Sequence, residues 1–132
     1  MERVTSRESD ATTAAIDVLL VDDEESNRGS VGEILRRAGF SVIEADSGIA
    51  ALSLLRSRRI KVVLLDLEMP LLDGLSVLDM IDDPPPVLLL TARALDAEIR
   101  GRMSKIAGYL QKPFSASSML AMVSQHVQAG GG

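Results

Sequence analysis

The chain has no cysteine and no tryptophan, and only one tyrosine, two phenylalanines and one histidine in 132 residues. Without cysteine there can be no disulfide, no thiolate zinc site and no cysteine nucleophile, although this does not fix the compartment. Aromatic residues at 2% imply an aliphatic core, and they leave no stacking platforms for single-stranded nucleic acid. Positive charge is also scarce: 14 Lys and Arg stand against 19 Asp and Glu, for a net charge of −5. That balance disfavours a nucleic-acid or anionic-membrane surface. No apolar run approaches the ~20 residues a spanning helix needs. Met1 to Ala15 is polar and lacks the apolar core of a secretory signal. The expectation is a cytoplasmic protein with no membrane insertion and no direct nucleic-acid contact. What is present, 46% hydrophobic and 25% charged residues, is the composition of one globular domain.

Residues 1–15 carry Ser, Thr and charge without periodicity and read as a flexible tail. Residues 16–128 form the domain, and 129–132 a flexible end. Within the domain, Ile16 to Val21 reads as a first strand that runs into Asp22-Asp23-Glu24-Glu25. Val31, Ile34, Leu35 and Ala38 recur at helical spacing, with Arg36, Arg37 and Gly39 suiting the helix end. Phe40 to Ala45 reads as strand two. Asp46-Ser47-Gly48 opens a second helix with Ile49, Leu52 and Leu55 on its apolar face. Ile60 to Asp66 reads as strand three, a run apolar enough to be buried on both faces. Met69-Pro70 breaks it, and Asp73-Gly74 leads into a third helix with the stripe Leu71, Leu75 and Leu78. After three prolines, Val87 to Leu90 reads as strand four. Leu95, Ile99 and Met103 mark a fourth helix, weakened by Gly101. Ala107 to Gln111 reads as strand five. Ser115 can cap a last helix with the stripe Ala116, Met119, Leu120, Val123 and Val127. Strand and helix alternate five times, which implies an α/β fold with a parallel sheet covered on both faces.

Parallel strands bring their carboxyl ends to one edge, where open α/β sheets bind ligands. Asp22 and Asp23 follow strand one, Asp66 ends strand three, Thr91 follows strand four and Lys112 follows strand five. With strands one and three adjacent, three carboxylates converge. Such oxygen ligands suit Mg²⁺, which binds through a few carboxylates, keeps several waters and accepts phosphate oxygens. A carboxylate beside Mg²⁺ can attack a phosphoryl group, while a hydroxyl from Thr91 and an ammonium from Lys112 can hold the phosphoryl oxygens. Taken singly, each residue has a plainer reading. The acidic run could be the first turn of a helix, Thr91 a strand end and Lys112 a solvated lysine. It is the joint pattern that points to chemistry. His126 lies off this edge on the last helix and has no chemical role to play there.

The same residues resemble the receiver domain of bacterial two-component response regulators. The resemblance rests on Leu-Leu-Val-Asp22-Asp23-Glu, Leu-Leu-Asp66-Leu-Glu-Met69-Pro70-Leu-Leu-Asp-Gly74, Leu-Leu-Thr91-Ala92 and Tyr109-Leu-Gln-Lys112-Pro113-Phe114, in the family's order and over about Ile16 to Val127. It implies a flavodoxin-like, doubly wound five-stranded parallel sheet of order 2-1-3-4-5 with five helices. It also implies a switch in which Asp66 accepts a phosphoryl group from a sensor histidine kinase or phosphotransfer protein. Asp23 and Asp66 would bind Mg²⁺ directly, Asp22 mainly through water, and the Glu68 backbone carbonyl would be a further ligand. Lys112 would pair with the carboxylate and then with the phosphoryl group. Thr91 would bond a phosphoryl oxygen, Tyr109 would turn inward as the coupled switch, and Lys112-Pro113 would be cis. The output would pass through the fourth helix, fifth strand and last helix to a downstream protein or effector domain, with homodimerisation left open. Catalysis would be limited to the chain's own phosphorylation and dephosphorylation.

Glu68 departs from the common pattern. Its carboxylate stands two residues beyond the acceptor, near the approach of attacking water, and is expected to alter the lifetime of the acyl phosphate. No effector domain follows Val127, which fits either a stand-alone regulator or a piece of a longer one. The alternatives are a receiver-like interaction module that is not phosphorylated, a Mg²⁺-dependent phosphatase and a flavodoxin-type FMN carrier. The phosphatase lacks an obvious acid/base carboxylate after a first-strand nucleophile. The flavin carrier would set its phosphate against Asp22 to Glu25, with few aromatics to stack the ring.

Overall fold

Five apolar runs become five parallel strands in a computed structural model that describes residues 14–69 and 72–131. The elements follow in the order β1 (Ile16–Val21), α1 (Glu25–Arg37), β2 (Val42–Ala45), α2 (Gly48–Ser57), β3 (Ile60–Asp66), α3 (Gly74–Met80), β4 (Val87–Thr91), α4 (Ala97–Arg100), a 3₁₀ turn (Met103–Lys105), β5 (Gly108–Gln111) and α5 (Ala116–Gly131). The sheet order is β2-β1-β3-β4-β5, as expected for a flavodoxin-like doubly wound fold. Pro70 and Leu71, expected at the strand break and on the third helical stripe, lie outside the described residues.

The central strands show why both faces need helices. Along β3, Val63 and Leu65 enter one aliphatic cluster with Leu52, Leu75, Leu78 and Ile99, from α2, α3 and α4. Val62 and Leu64 enter the other, with Leu35, Met119 and Val123 from α1 and α5. Side chains alternate across a strand, so a run apolar at every position is satisfied only by a layer on each side. Burying one such leucine is worth about 1.5–3 kcal/mol.

Local signals set the helix limits. Ser47 Oγ accepts from Ala50 N at 3.1 Å, Asp73 Oδ1 from Ser76 N at 2.8 Å, and Ser115 Oγ from Ser118 N at 3.1 Å. At the end of α1, Gly39 adopts φ 99°, and Phe40 N donates to Leu35 O at 3.1 Å. This stop uses up Phe40, and β2 begins at Val42 rather than Phe40.

Four expectations for the helix faces need correction. Ile49 is 70% exposed: it sits one residue after Gly48 at the start of α2 and borders a shallow pocket with Asp23, Met69 and Leu72. Ala38 and Ala116 are exposed at the ends of their helices, where the turn has left the core. The fourth helix spans only Ala97–Arg100, because the Asp96 carboxylate caps it through Ile99 N at 2.9 Å and Gly101 closes it. Leu95 therefore precedes the helix and Met103 falls in the 3₁₀ turn. Both are exposed, and Ile99 alone of that expected stripe is buried.

Candidate functional site

The register of the two central strands builds the site. Val21 pairs with Leu65, so the next residues, Asp22 and Asp66, leave the sheet side by side. Each carboxylate folds back on its own chain. Asp22 Oδ1 accepts from Glu24 N at 2.9 Å, and Asp66 Oδ1 accepts from Glu68 N at 2.9 Å. These short turns hold both side chains at the sheet edge. Asp22 and Asp66 are buried and Asp23 is exposed. Carboxylate oxygens of the three lie within 4.8 Å of one another. Arg28 Nη1 donates to Asp22 O at 2.8 Å while its Nε pairs with Glu44, which fixes the end of β1 to α1 and β2.

The chain turns sharply after Asp66 because α3 starts against it. A Cβ at Gly74 would lie 2.6 Å from Asp66 O and 2.9 Å from Leu67 Cα. Only glycine lets the helix approach the strand end this closely.

Opposite the acidic cluster stand the donors. Lys112 Nζ donates to Asp66 Oδ2 at 3.1 Å from the turn after β5, where Lys112–Pro113 is cis, as the resemblance implies. Thr91 ends β4 with its side chain fully buried. Its hydroxyl donates to Glu68 Oε2, and Ala92 N donates to Glu68 Oε1 at 3.0 Å. Arg93 N in turn donates to Thr91 Oγ1 at 3.0 Å, and the half-buried Tyr109 hydroxyl donates to Arg93 O. A bonded path thus runs from Glu68 through Thr91 and Arg93 to Tyr109.

Burial raises the Asp66 carboxyl. It pushes the group up to about 6; the Glu68 amide and the Lys112 ammonium oppose it, and the charge of Asp22 adds to it. Lys112 and the Glu68 amide thus offset only part of the cost of burying the Asp66 charge. The donor set answers with oxygen alone: two buried carboxylates, one exposed carboxylate and an open side for water. This fits Mg²⁺, and without His or Cys it does not fit zinc.

All the residues singled out from the sequence gather at this edge: Asp22, Asp23, Asp66, Glu68, Thr91 and Lys112, with Tyr109 linked through Arg93. Sequence reasoning singled out the Glu68 side chain but missed its bonds to the Thr91 hydroxyl and the Ala92 amide. The signal was a fourth carboxylate within reach of the strand ends. Its partner, however, is 23 residues away and depends on the β3–β4 register.

Comparison with known proteins agrees with this geometry. The sequence model of the response regulator receiver domain matches residues 18–124, and the chain belongs to that family. Response regulator MprA of Mycobacterium sp. (strain KMS) is 39% identical over 108 residues, covering 79% of this chain and 47% of that protein. The chain thus spans about half the length of the curated relatives it matches. Among solved structures, the Vibrio cholerae chemotaxis protein CheY4 superposes with a TM-score of 0.73 at 27% identity, over 86% of this chain and 98% of that one. The receiver domain of a sensor histidine kinase from Pseudomonas aeruginosa PAO1 reaches 0.77 at 27% identity, over 87% and 99%; its structure holds a magnesium ion in the active site cleft. Among the described residues, no helix is long and apolar enough to cross a membrane.

Proposed function

We propose that this receiver domain is a phosphorylation-dependent switch with Asp66 as its phosphoacceptor. The observation that carries the reading is the buried Asp66 carboxylate, bonded to Lys112 Nζ and within metal-sharing distance of Asp22 and Asp23. Asp23 and Asp66 would hold Mg²⁺ directly, Asp22 through water, with the Glu68 carbonyl as a further ligand; bound there, the ion would offset charge on the phosphoryl oxygens. The donor is a phosphohistidine of a sensor kinase or phosphotransfer protein. An Asp66 oxygen bonds to phosphorus as the phosphorus–nitrogen bond breaks, and the electron pair leaves to the imidazole. Water later attacks phosphorus, returning the carboxylate and inorganic phosphate. Lys112 and Thr91 hold the phosphoryl oxygens, and the added charge of about −1.5 to −2 shifts Thr91, Arg93 and Tyr109 together. The change is read at the α4–β5–α5 face by an effector, or by a second copy in a homodimer. On this reading the chain is no enzyme beyond its own phosphorylation and dephosphorylation, and it works in the cytoplasm.

Incubation with acetyl phosphate and Mg²⁺, read by intact mass, tests this. A single phosphoryl adduct is expected, and it should disappear in Asp66→Ala; an adduct that persists there moves the acceptor elsewhere. One observation favours the alternative of an unphosphorylated interaction module: Glu68 already holds Thr91 and Ala92. Lack of an adduct in both wild type and Glu68→Ala would select that alternative.

A further inference from the structure

We propose that the Glu68 carboxylate is a built-in stand-in for the phosphoryl group, occupying its donors until phosphorylation displaces it. The inference rests on Asp66 being the phosphoacceptor. Thr91 Oγ1 and Ala92 N, the donors at the end of β4, both bond to Glu68, one to each carboxylate oxygen. Lys112 Nζ lies 4.0 Å from Glu68 Oε1 while it bonds to Asp66 Oδ2 at 3.1 Å. One carboxylate thus faces a hydroxyl, a backbone amide and an ammonium, the three donor types that hold a phosphoryl group.

The burial of the two partners makes this an exchange rather than a permanent bond. The Thr91 side chain has no exposure while Glu68 covers it, so its hydroxyl depends on an anionic acceptor at this place rather than on bulk water. The Glu68 side chain is 40% exposed and can swing out into solvent, where its charge is hydrated. An arriving phosphoryl group offers Thr91 and Ala92 an acceptor with more charge than one carboxylate. The donors pass from one anion to the other without a stage in which Thr91 is left unpaired. Two consequences follow. Glu68 competes with the phosphoryl group and lowers its affinity for the site. It also keeps the Thr91–Arg93–Tyr109 path bonded before phosphorylation, since Arg93 N still donates to Thr91 Oγ1.

The test uses the full chain with Mg²⁺ and beryllium fluoride, a phosphoryl analogue that binds carboxylates, followed by titration of the Ala92 amide resonance. Removing a carboxylate that makes charge-assisted bonds to these donors should tighten fluoroberyllate binding roughly ten- to hundredfold in Glu68→Ala. Glu68→Asp separates occupancy from charge, because it keeps the charge but is one methylene too short to reach Thr91 Oγ1. Occupancy predicts tightening in Glu68→Asp as well, with loss of the wild-type Ala92 shift in the free protein. Wild-type affinity in Glu68→Asp, or no change in Glu68→Ala, overturns the stand-in. If acetyl phosphate labels all three forms equally fast and fluoroberyllate binds them equally, the stand-in fails while the phosphoacceptor assignment survives. If no form is labelled, both fail.

Discussion

The two halves of the site are prepared in opposite ways. At the ends of β1 and β3, Asp22, Asp23 and Asp66 converge, and burial, which Lys112 offsets only in part, makes Asp66 ionise reluctantly. At the end of β4, the donors Thr91 and Ala92 already hold the Glu68 carboxylate. One half gathers three carboxylates around a single lysine, and the other is filled by an internal anion. The same chemistry, carboxylate at a strand end, raises the energy of the charged form on one side and satisfies buried donors on the other. The difference lies in what each carboxylate faces. Asp66 is buried beside Asp22, whereas the half-exposed Glu68 reaches across to hydrogen-bond donors.

Lys112 is the residue that touches both halves, so its removal should have the largest effect on this contrast. Lys112→Ala is expected to slow acetyl-phosphate labelling of Asp66 roughly a hundredfold, the usual cost of one lost donor to a transferring group. Labelling at the wild-type rate would mean that the donor half works without it.

The reluctance of Asp66 to ionise has a signature in stability. Burial pushes its folded-state carboxyl up to about 6, above the ordinary 3.8. Folding therefore favours the protonated form; the penalty is absent below pH 4 and complete above pH 6. In a chelator, acidification from pH 6.5 to 4.5 should stabilise wild type relative to Asp66→Asn by at most about 2 kcal/mol, less where water screens the open mouth of the site. Denaturant melts of the two proteins check the difference. Parallel pH curves would mean that Lys112 already balances the acidic half. Saturating Mg²⁺ should flatten the wild-type curve.

The smallest effect concerns how the donor half is anchored. Arg102 forks onto Asp79 of α3 at 2.9 and 2.8 Å, and Lys105 joins it at 3.3 Å. These ion pairs hold the Asp79 carboxyl down at about 2. Their contribution is present above the ordinary carboxylate value and is lost as pH falls from about 4 through 2. The pairs are exposed, so Asp79→Asn should leave the global melt almost unchanged and raise amide exchange only around residues 97–105. Increased exchange at β1 or β3 instead would show that the two halves are mechanically one.

Much of this architecture was legible in the chain. Strands one and three have the same limits in the sequence and in the structure, because each is an apolar run ended by a carboxylate, and few residues can continue a buried strand past such a charge. Their alternation with helical stripes was enough to predict parallel pairing, and so a shared edge for Asp22, Asp66, Thr91 and Lys112. Less legible was how each helix sits. Leu95 and Met103 fit an apolar period yet lie outside the core, because Asp96 and Gly101 decide where the helix begins and ends. Periodicity reports a face only while the helix lasts.

The site divides along the same line. By itself the sequence determined which functional groups stand at the strand ends, since a strand's exit is a local matter of apolar run and turn. Only the tertiary structure decided what each group faces. The β3–β4 register sets Glu68 against Thr91 and Ala92, Gly74 lets α3 close against Asp66, and burial raises the Asp66 carboxyl. The contacts of Glu68 with Thr91 and of Lys112 with Asp66 join residues 23 and 46 apart in the chain, and the Asp66 shift depends on the water excluded around it.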